Sequence, residues 1–223
     1  MCSGKALVLD FGGVISRTLF ETHALTEKVL GLKSGTLTWR GPFDPDSDPL
    51  WRSMQSGDIS ERDYWLERTR ETAALVGQTW TRMEEFVTAA RGADPETVIR
   101  PEALDAIAAA KRAGCKLAIL SNELDLFYGA DFRKRLPLLA DFDLIVDATH
   151  TGILKPASGA FVFIIEGLGI PAANCVFVDD QAKNIAGAVC VGMQTVHFDV
   201  RNPRESYDAA LDLLGVHRTR ENG

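Results

Sequence analysis

The stretch KALVLDFGGVIS, residues 5–16, decides how the rest of this chain is read. Its apolar run does not alternate with polar residues, and continuous hydrophobicity of this kind marks a strand covered on both faces, as in a parallel sheet. The run ends on a single carboxylate, Asp10, and two glycines, Gly12 and Gly13, follow where the backbone can turn sharply. Further runs of the same kind lie at Lys116–Asn122, Phe142–Asp147, Cys175–Asp180 and Thr195–Asp199. Helical patterns separate them, over 101–114, 157–168, 182–191 and 203–214. The first of these has Pro101 at its start and Gly114 at its end, the expected asymmetry of helix termini. Strand alternating with helix predicts an α/β fold, a doubly wound parallel sheet with right-handed crossovers.

Residues 16–100 break that rhythm. They offer amphipathic helical segments, Ser60–Val76 and Thr79–Ala90, and no convincing strand. The expected organisation is therefore a core of residues 1–15 and 101–215, a helical cap inserted at 16–100, and a polar tail at 216–223. Within the insert, Ser60 and Asp63 have capping-box-like spacing, and Pro42, Pro45 and Pro49 in GPFDPDSDPLW mark a loop. Trp39, Trp51, Trp65 and Trp80 all fall in this segment, as packing for a small core or as lining for a substrate pocket.

Composition narrows the function. The chain has 223 residues, 46% hydrophobic, with 24 basic against 31 acidic side chains and a formal net charge of −7. That balance argues against a nucleic-acid footprint, which needs a basic face. No signal peptide or membrane-length apolar stretch is indicated, so a soluble, cytoplasmic protein is expected. Cys2, Cys115, Cys175 and Cys190 lack CxxC spacing and fit buried thiols better than a zinc site. Monomer and homodimer are both open.

Ligands of open parallel sheets bind beyond the carboxyl ends of the strands, so polar residues there carry information. Asp10 ends the first run, Ser121 and Asn122 the second, Asp179 and Asp180 the fourth, and Lys155 lies in the loop TGILKP after the third. Any one of them alone reads equally well as a helix cap; their concurrence on one rim does not. Three carboxylates gathered there raise one another's pKa unless a cation lies among them. Magnesium suits such a site, taking one or two carboxylates, several waters and a substrate phosphate. Ser121 and Lys155 would then hold phosphate oxygens, and a backbone carbonyl after Asp10 would face the ion.

At these residues the chain resembles the haloacid dehalogenase (HAD) superfamily, whose four motifs appear in order as LVLDFGGV, LAILSN, ILKP and VFVDD. The resemblance covers essentially the whole chain and makes the insert similar to a C1-type cap. It implies Asp10 as nucleophile, Ser121 and Asn122 as phosphate contacts, and Lys155 as the charge that orients both. It further implies that Asp180 binds magnesium directly, Asp179 through water, and the Gly12 carbonyl as a further ligand. The implied activity is magnesium-dependent hydrolysis of a small phosphorylated metabolite through an aspartyl-phosphate.

Gly12 departs from the family's phosphatases, which carry an aspartate there that protonates the leaving oxygen. General acid–base assistance is worth roughly 10²–10⁴-fold, so its absence favours substrates whose phosphate leaves readily. The DxGxV opening resembles the branch of sugar-1-phosphate phosphatases and amino-terminal phosphatase domains of epoxide hydrolases. Glu21, His23 and Glu123 are candidate replacement acids, each with a solvated or capping role as its alternative. Two other functions stand beside this one. A 2-haloacid dehalogenase-type hydrolase would use the same aspartate, with Arg40 on a substrate carboxylate, but would not need the pair Asp179 and Asp180. A HAD-like binding or regulatory module without turnover is the other. His150 and His197 read as surface or satisfied histidines, and Lys183 and Asn184 as candidates to position Asp180.

Overall fold

The computed structural model describes residues 4–91, 95–129 and 131–216. The strands are β1 (Ala6–Leu9), β2 (Lys116–Ser121), β3 (Leu144–Asp147), β4 (Cys175–Asp179) and β5 (Gln194–His197). The α-helices are α1 (His23–Leu30), α2 (Pro49–Ser56), α3 (Glu61–Leu75), α4 (Met83–Arg91), α5 (Pro101–Arg112), α6 (Leu124–Tyr128), α7 (Phe132–Arg135), α8 (Ala148–Thr151), α9 (Ser158–Leu168), α10 (Ala182–Cys190) and α11 (Pro203–Leu214). The chain divides into two compact units: 1–17 with 99–124 and 136–223, and 18–98 with 125–135. The sequence division left 125–135 with the core; this short segment instead groups with the helical unit. The proposed tail lies outside the described residues except for Val216, which is buried.

In the first unit the strands form one all-parallel sheet in the order β3-β2-β1-β4-β5. β1 is central and every one of its residues is fully buried, which is why its sequence shows no alternation. On one face, Ala6 and Val8 pack with Ala118, Leu120 and Phe177 against Phe161 and Ile164 of α9 and Ala188 of α10. α5 and α11 cover the opposite face. The switch in strand order falls at β1, where β2 leads one way and β4 the other, and a crevice at the carboxyl ends follows from that topology.

After Asp10 the backbone makes one wide turn, Phe11–Ile15, closed by the Ser16 N–H donating to the Phe11 carbonyl at 2.9 Å. Gly13 has φ +79°, a conformation that favours glycine. Gly12 does not share that need. Its φ of −72° and ψ of 125° suit any residue, and a Cβ there would meet nothing within 4 Å.

In the second unit, α3 begins with the expected capping box: the Ser60 hydroxyl accepts from the Asp63 N–H and the Asp63 carboxylate accepts from the Ser60 N–H, both at 3.1 Å. The helix expected from Thr79 starts only at Met83, because the Glu85 carboxylate accepts from the Thr81 and Arg82 N–H groups and halts it there. The proline-rich loop is also shorter than expected. Pro49 opens α2, with Asp48 as its cap accepting from the Trp51 N–H at 2.9 Å. Asp48 is buried; besides that bond it accepts from the Gly41 N–H at 3.2 Å and the Tyr64 hydroxyl at 2.9 Å and pairs with Arg68. Trp39 and Trp51 are buried edge-on around Phe20, each 5.3 Å from it, and Trp65 stands 5.4 Å away.

Cys175 is a buried thiol, Cys190 is an exposed one, and Cys115 is disulfide-bonded, so the expectation of buried thiols holds for Cys175 alone among these; Cys2 lies outside the described residues. No helix among the described residues is long and apolar enough to cross a membrane.

Candidate active site

The carboxyl ends of β1, β2 and β4 and the loop after α8 bring the candidate residues into one network. Lys155 is buried and its ammonium donates to Asp10 Oδ1 at 2.8 Å and to Asp179 Oδ2 at 2.6 Å. Asp10 remains open at its rim, with 13% of its side chain exposed, while the Asp179 side chain is fully covered. Burial pushes the Asp10 carboxyl up to about 6; Lys155 pulls it back and Asp179 adds to the rise. Burial opposes the charge of Lys155 as well, yet the two carboxylates hold its ammonium above the ordinary lysine range. The Lys155 ammonium is therefore charged at neutral pH.

Asp179 is held by three donors that make four contacts. Its Oδ1 accepts from the Gln181 N–H at 2.8 Å and from the Asn184 amide at 3.0 Å, and its Oδ2 accepts from Lys155 and again from Asn184, at 3.1 Å. A carboxylate has about four lone-pair directions, so those of Asp179 are committed to the protein. Asp179 orients Lys155, Asp10 keeps an exposed edge, and Asp180 lies half-buried beside them. Oxygens of Asp10, Asp179 and Asp180 lie within 4.8 Å of one another, and three carboxylates against one ammonium leave an excess of negative charge.

Two further oxygens belong to residues that adjoin these acids, Asn184 through its bonds to Asp179 and Gly12 two residues after Asp10. Asn184 Oδ1 is buried and lacks a hydrogen-bond donor. The carbonyls of Phe11, Gly13, Val14 and Ile15 each accept a bond from the fold, and that of Gly12 is not among those held. The donor set is all oxygen, the chemistry a hard cation takes.

Asn122 has a different task from the expected one. Its side-chain carbonyl accepts from the Lys155 N–H at 2.7 Å and its amide donates to the Lys155 carbonyl at 3.1 Å, so the side chain clips the lysine's main chain to the end of β2. Ser121 closes β2 and is buried at the same rim. Asn184 braces Asp179 rather than Asp180, and Lys183 is exposed. His150 is exposed, and His197 places Nε2 3.1 Å from the Asp180 carbonyl oxygen.

Of the replacement acids, Glu21 accepts from the Thr18 N–H and hydroxyl, both at 2.8 Å, which is a capping role. His23 is buried within the helical unit, and neither ring nitrogen has a hydrogen-bond partner. Burial, with Arg40 adding to it, lowers its pKa to about 4, so it carries no proton to donate at neutral pH. Glu123, half-buried, adjoins Asn122. Sequence reasoning missed Gln181, Arg100 and Tyr207. The first acts through its main chain, and the other two lie far from any motif.

A parallel α/β sheet whose carboxyl rim sets an open carboxylate against a buried lysine is the frame of an enzyme class that works from strand ends. A family model of haloacid dehalogenase-like hydrolases matches residues 5–192, and the chain belongs to that family. It is 25% identical over 214 residues to acyl-CoA dehydrogenase family member 10 of Mus musculus, a match covering 96% of this chain and 19% of that protein. It is 31% identical over 99 residues to phosphatase MT3486 of Mycobacterium tuberculosis, covering 44% of this chain and 46% of the relative. The chain thus spans less than half the length of either. The fold is shared with a HAD phosphatase from Thermococcus onnurineus, at a TM-score of 0.58 and 21% identity over 96% of this chain and 100% of that one.

Proposed function

We propose that this protein is a magnesium-dependent phosphatase acting on a small phosphorylated metabolite through an aspartyl-phosphate on Asp10. The observation that carries the reading is Lys155 bridging Asp10 and Asp179 beside a third acid, Asp180. A lysine so held cannot act as a base, because both neighbours favour its charged form; it is suited to aligning Asp10 and to countering negative charge on a phosphoryl group. The open oxygen of Asp10 attacks phosphorus, the ester oxygen departs, and water then releases phosphate from the acyl-phosphate. Magnesium, held by Asp10, Asp180 and the Gly12 carbonyl, would supply charge neutralisation at the phosphate. Ser121 and the main chain of Asn122 would contact phosphate oxygens; the Asn122 side chain keeps Lys155 in position.

The phosphatase-named relative, similar over part of this chain, supports the reading. With no acid at position 12, a substrate with a good leaving group, such as a sugar 1-phosphate or an acyl phosphate, is the substrate class proposed. The test is phosphate release across a panel of phosphomonoesters with Mg²⁺ and with EDTA. Mg²⁺-dependent release, fastest for anomeric and acyl phosphates, is the expected result. Chloride release from 2-chloropropionate in EDTA, with no phosphate release, would instead establish the dehalogenase reading; silence in both assays would leave a binding module.

A further inference from the structure

We infer that Arg100 and Tyr207, which belong to no sequence motif, are positioning residues that fix the backbone after Asp10 so that the Gly12 carbonyl faces the metal site; the inference rests on the metal reading above.

The turn that follows Asp10 is buried except at Gly12, and its two glycines left to themselves have many conformations. The fold removes that freedom carbonyl by carbonyl. Arg100 donates Nε at 3.1 Å and Nη2 at 2.9 Å to the Gly13 carbonyl, and its own N–H donates to the Ile15 carbonyl at 3.0 Å. The Tyr207 hydroxyl donates to the Val14 carbonyl at 2.9 Å. The Phe11 carbonyl accepts from Ser16. These carbonyls are turned toward the protein, and among the described residues none donates to the Gly12 carbonyl.

Both donors are anchored in turn. Arg100 is 3% exposed and Tyr207 fully buried. The guanidinium lies 5.5 Å from the centre of the Phe198 ring, which meets the Tyr207 ring edge-on at 5.1 Å. A charged fork on a neutral carbonyl costs desolvation that an apolar side chain would not incur. Its return is geometric: two parallel donors fix the direction of one carbonyl, which a lysine's single point charge cannot do.

The test uses the full chain with Tyr207→Phe, which removes one hydroxyl and keeps the ring contact, and Arg100→Lys, which keeps the charge and removes the fork. Tyr64→Phe, which loses a buried hydroxyl bond to Asp48 in the helical unit, is the control for stability alone. Mg²⁺ binding is read by calorimetry in the absence of any substrate, melting temperature in EDTA by calorimetric scan, and turnover with p-nitrophenyl phosphate. Residues that orient ligands typically alter metal affinity by about 10–100-fold. The expected result is a Mg²⁺ Kd raised about 10-fold in both core variants, with kcat at saturating Mg²⁺ reduced less, and no change of Kd in Tyr64→Phe even where its melting temperature falls as far. Lower melting temperatures with Mg²⁺ Kd unchanged in Tyr207→Phe and Arg100→Lys would overturn the inference and leave the metal reading standing. Absence of Mg²⁺ binding by the unaltered protein would overturn both.

Discussion

Both units bury ionisable side chains, and whether a side chain keeps its charge follows the partner it is given. At the rim of the sheet, Lys155 is buried between Asp10 at 2.8 Å and Asp179 at 2.6 Å, and the two carboxylates hold its ammonium charged. In the helical unit, His23 sits 4.2 Å from the Trp39 ring with both nitrogens unbonded, and burial strips it of its proton. Arg40, Glu27 and Arg68 all act on it electrostatically, and the two arginines outweigh the one acid. A buried charge persists where geometry supplies an oriented counter-charge, and a buried base discharges where it does not. The helical unit obeys the same rule at Asp48, which is buried but paired with Arg68.

The sharpest way to break this comparison is to remove the attacking oxygen. Asp10→Asn is expected to lower Mg²⁺-dependent phosphate release by at least about 10³-fold, measured as phosphate liberated from the fastest ester of the panel; intact release would remove Asp10 from its proposed role. Lys155→Met leaves two buried carboxylates facing each other, and breaking a buried pair costs about 3–5 kcal/mol. A thermal melt in EDTA should show that loss, with Mg²⁺ restoring part of it. Gly12→Asp tests the opposite direction. Its backbone suits an aspartate and the space is open, so hydrolysis of a plain alkyl phosphate should rise about 10²-fold; a flat response would show that the acid comes from elsewhere.

The smallest effect belongs to His23. Because its folded pKa of about 4 lies below the ordinary 6.5, the unfolded chain binds the proton first. Its contribution to stability is full above pH 6.5 and is lost as pH falls toward 4, by about 1.4 kcal/mol per pH unit at most. His23→Phe should flatten that limb when melting temperatures are compared between pH 7 and 4.5. A pH dependence identical to that of the unaltered protein would mean that the histidine is hydrated or already paired.

The sheet was legible because burial on both faces writes itself as uninterrupted apolar runs: those beginning at Lys5, Lys116, Phe142 and Cys175 each contain a strand, and the run from Thr195 overlaps β5, which starts one residue earlier and is only half-buried. The rim residues were legible because polar groups stand out at the ends of such runs. What their side chains do there was not. Asn122 and Asn184 read as contacts for substrate or for Asp180, whereas they hold Lys155 and Asp179, since an amide's partner depends on distances that spacing along the chain does not carry. Arg100 and Tyr207 reach the turn from 87 and 193 residues away, which no local pattern encodes. Pro49 misled in another way: proline clusters mark loops, but this one occupies the first position of a helix, where its missing N–H is harmless.

The pairing of Ser16 with Ile99, next to the Arg100 bond to Ile15, stitches together the points where the polypeptide leaves the sheet and returns to it. A doorway fastened on both jambs makes the rooms separable. The insertion between those points can lengthen, shorten or be exchanged during descent while the bonds among Lys155, Asp10 and Asp179 stay as they are.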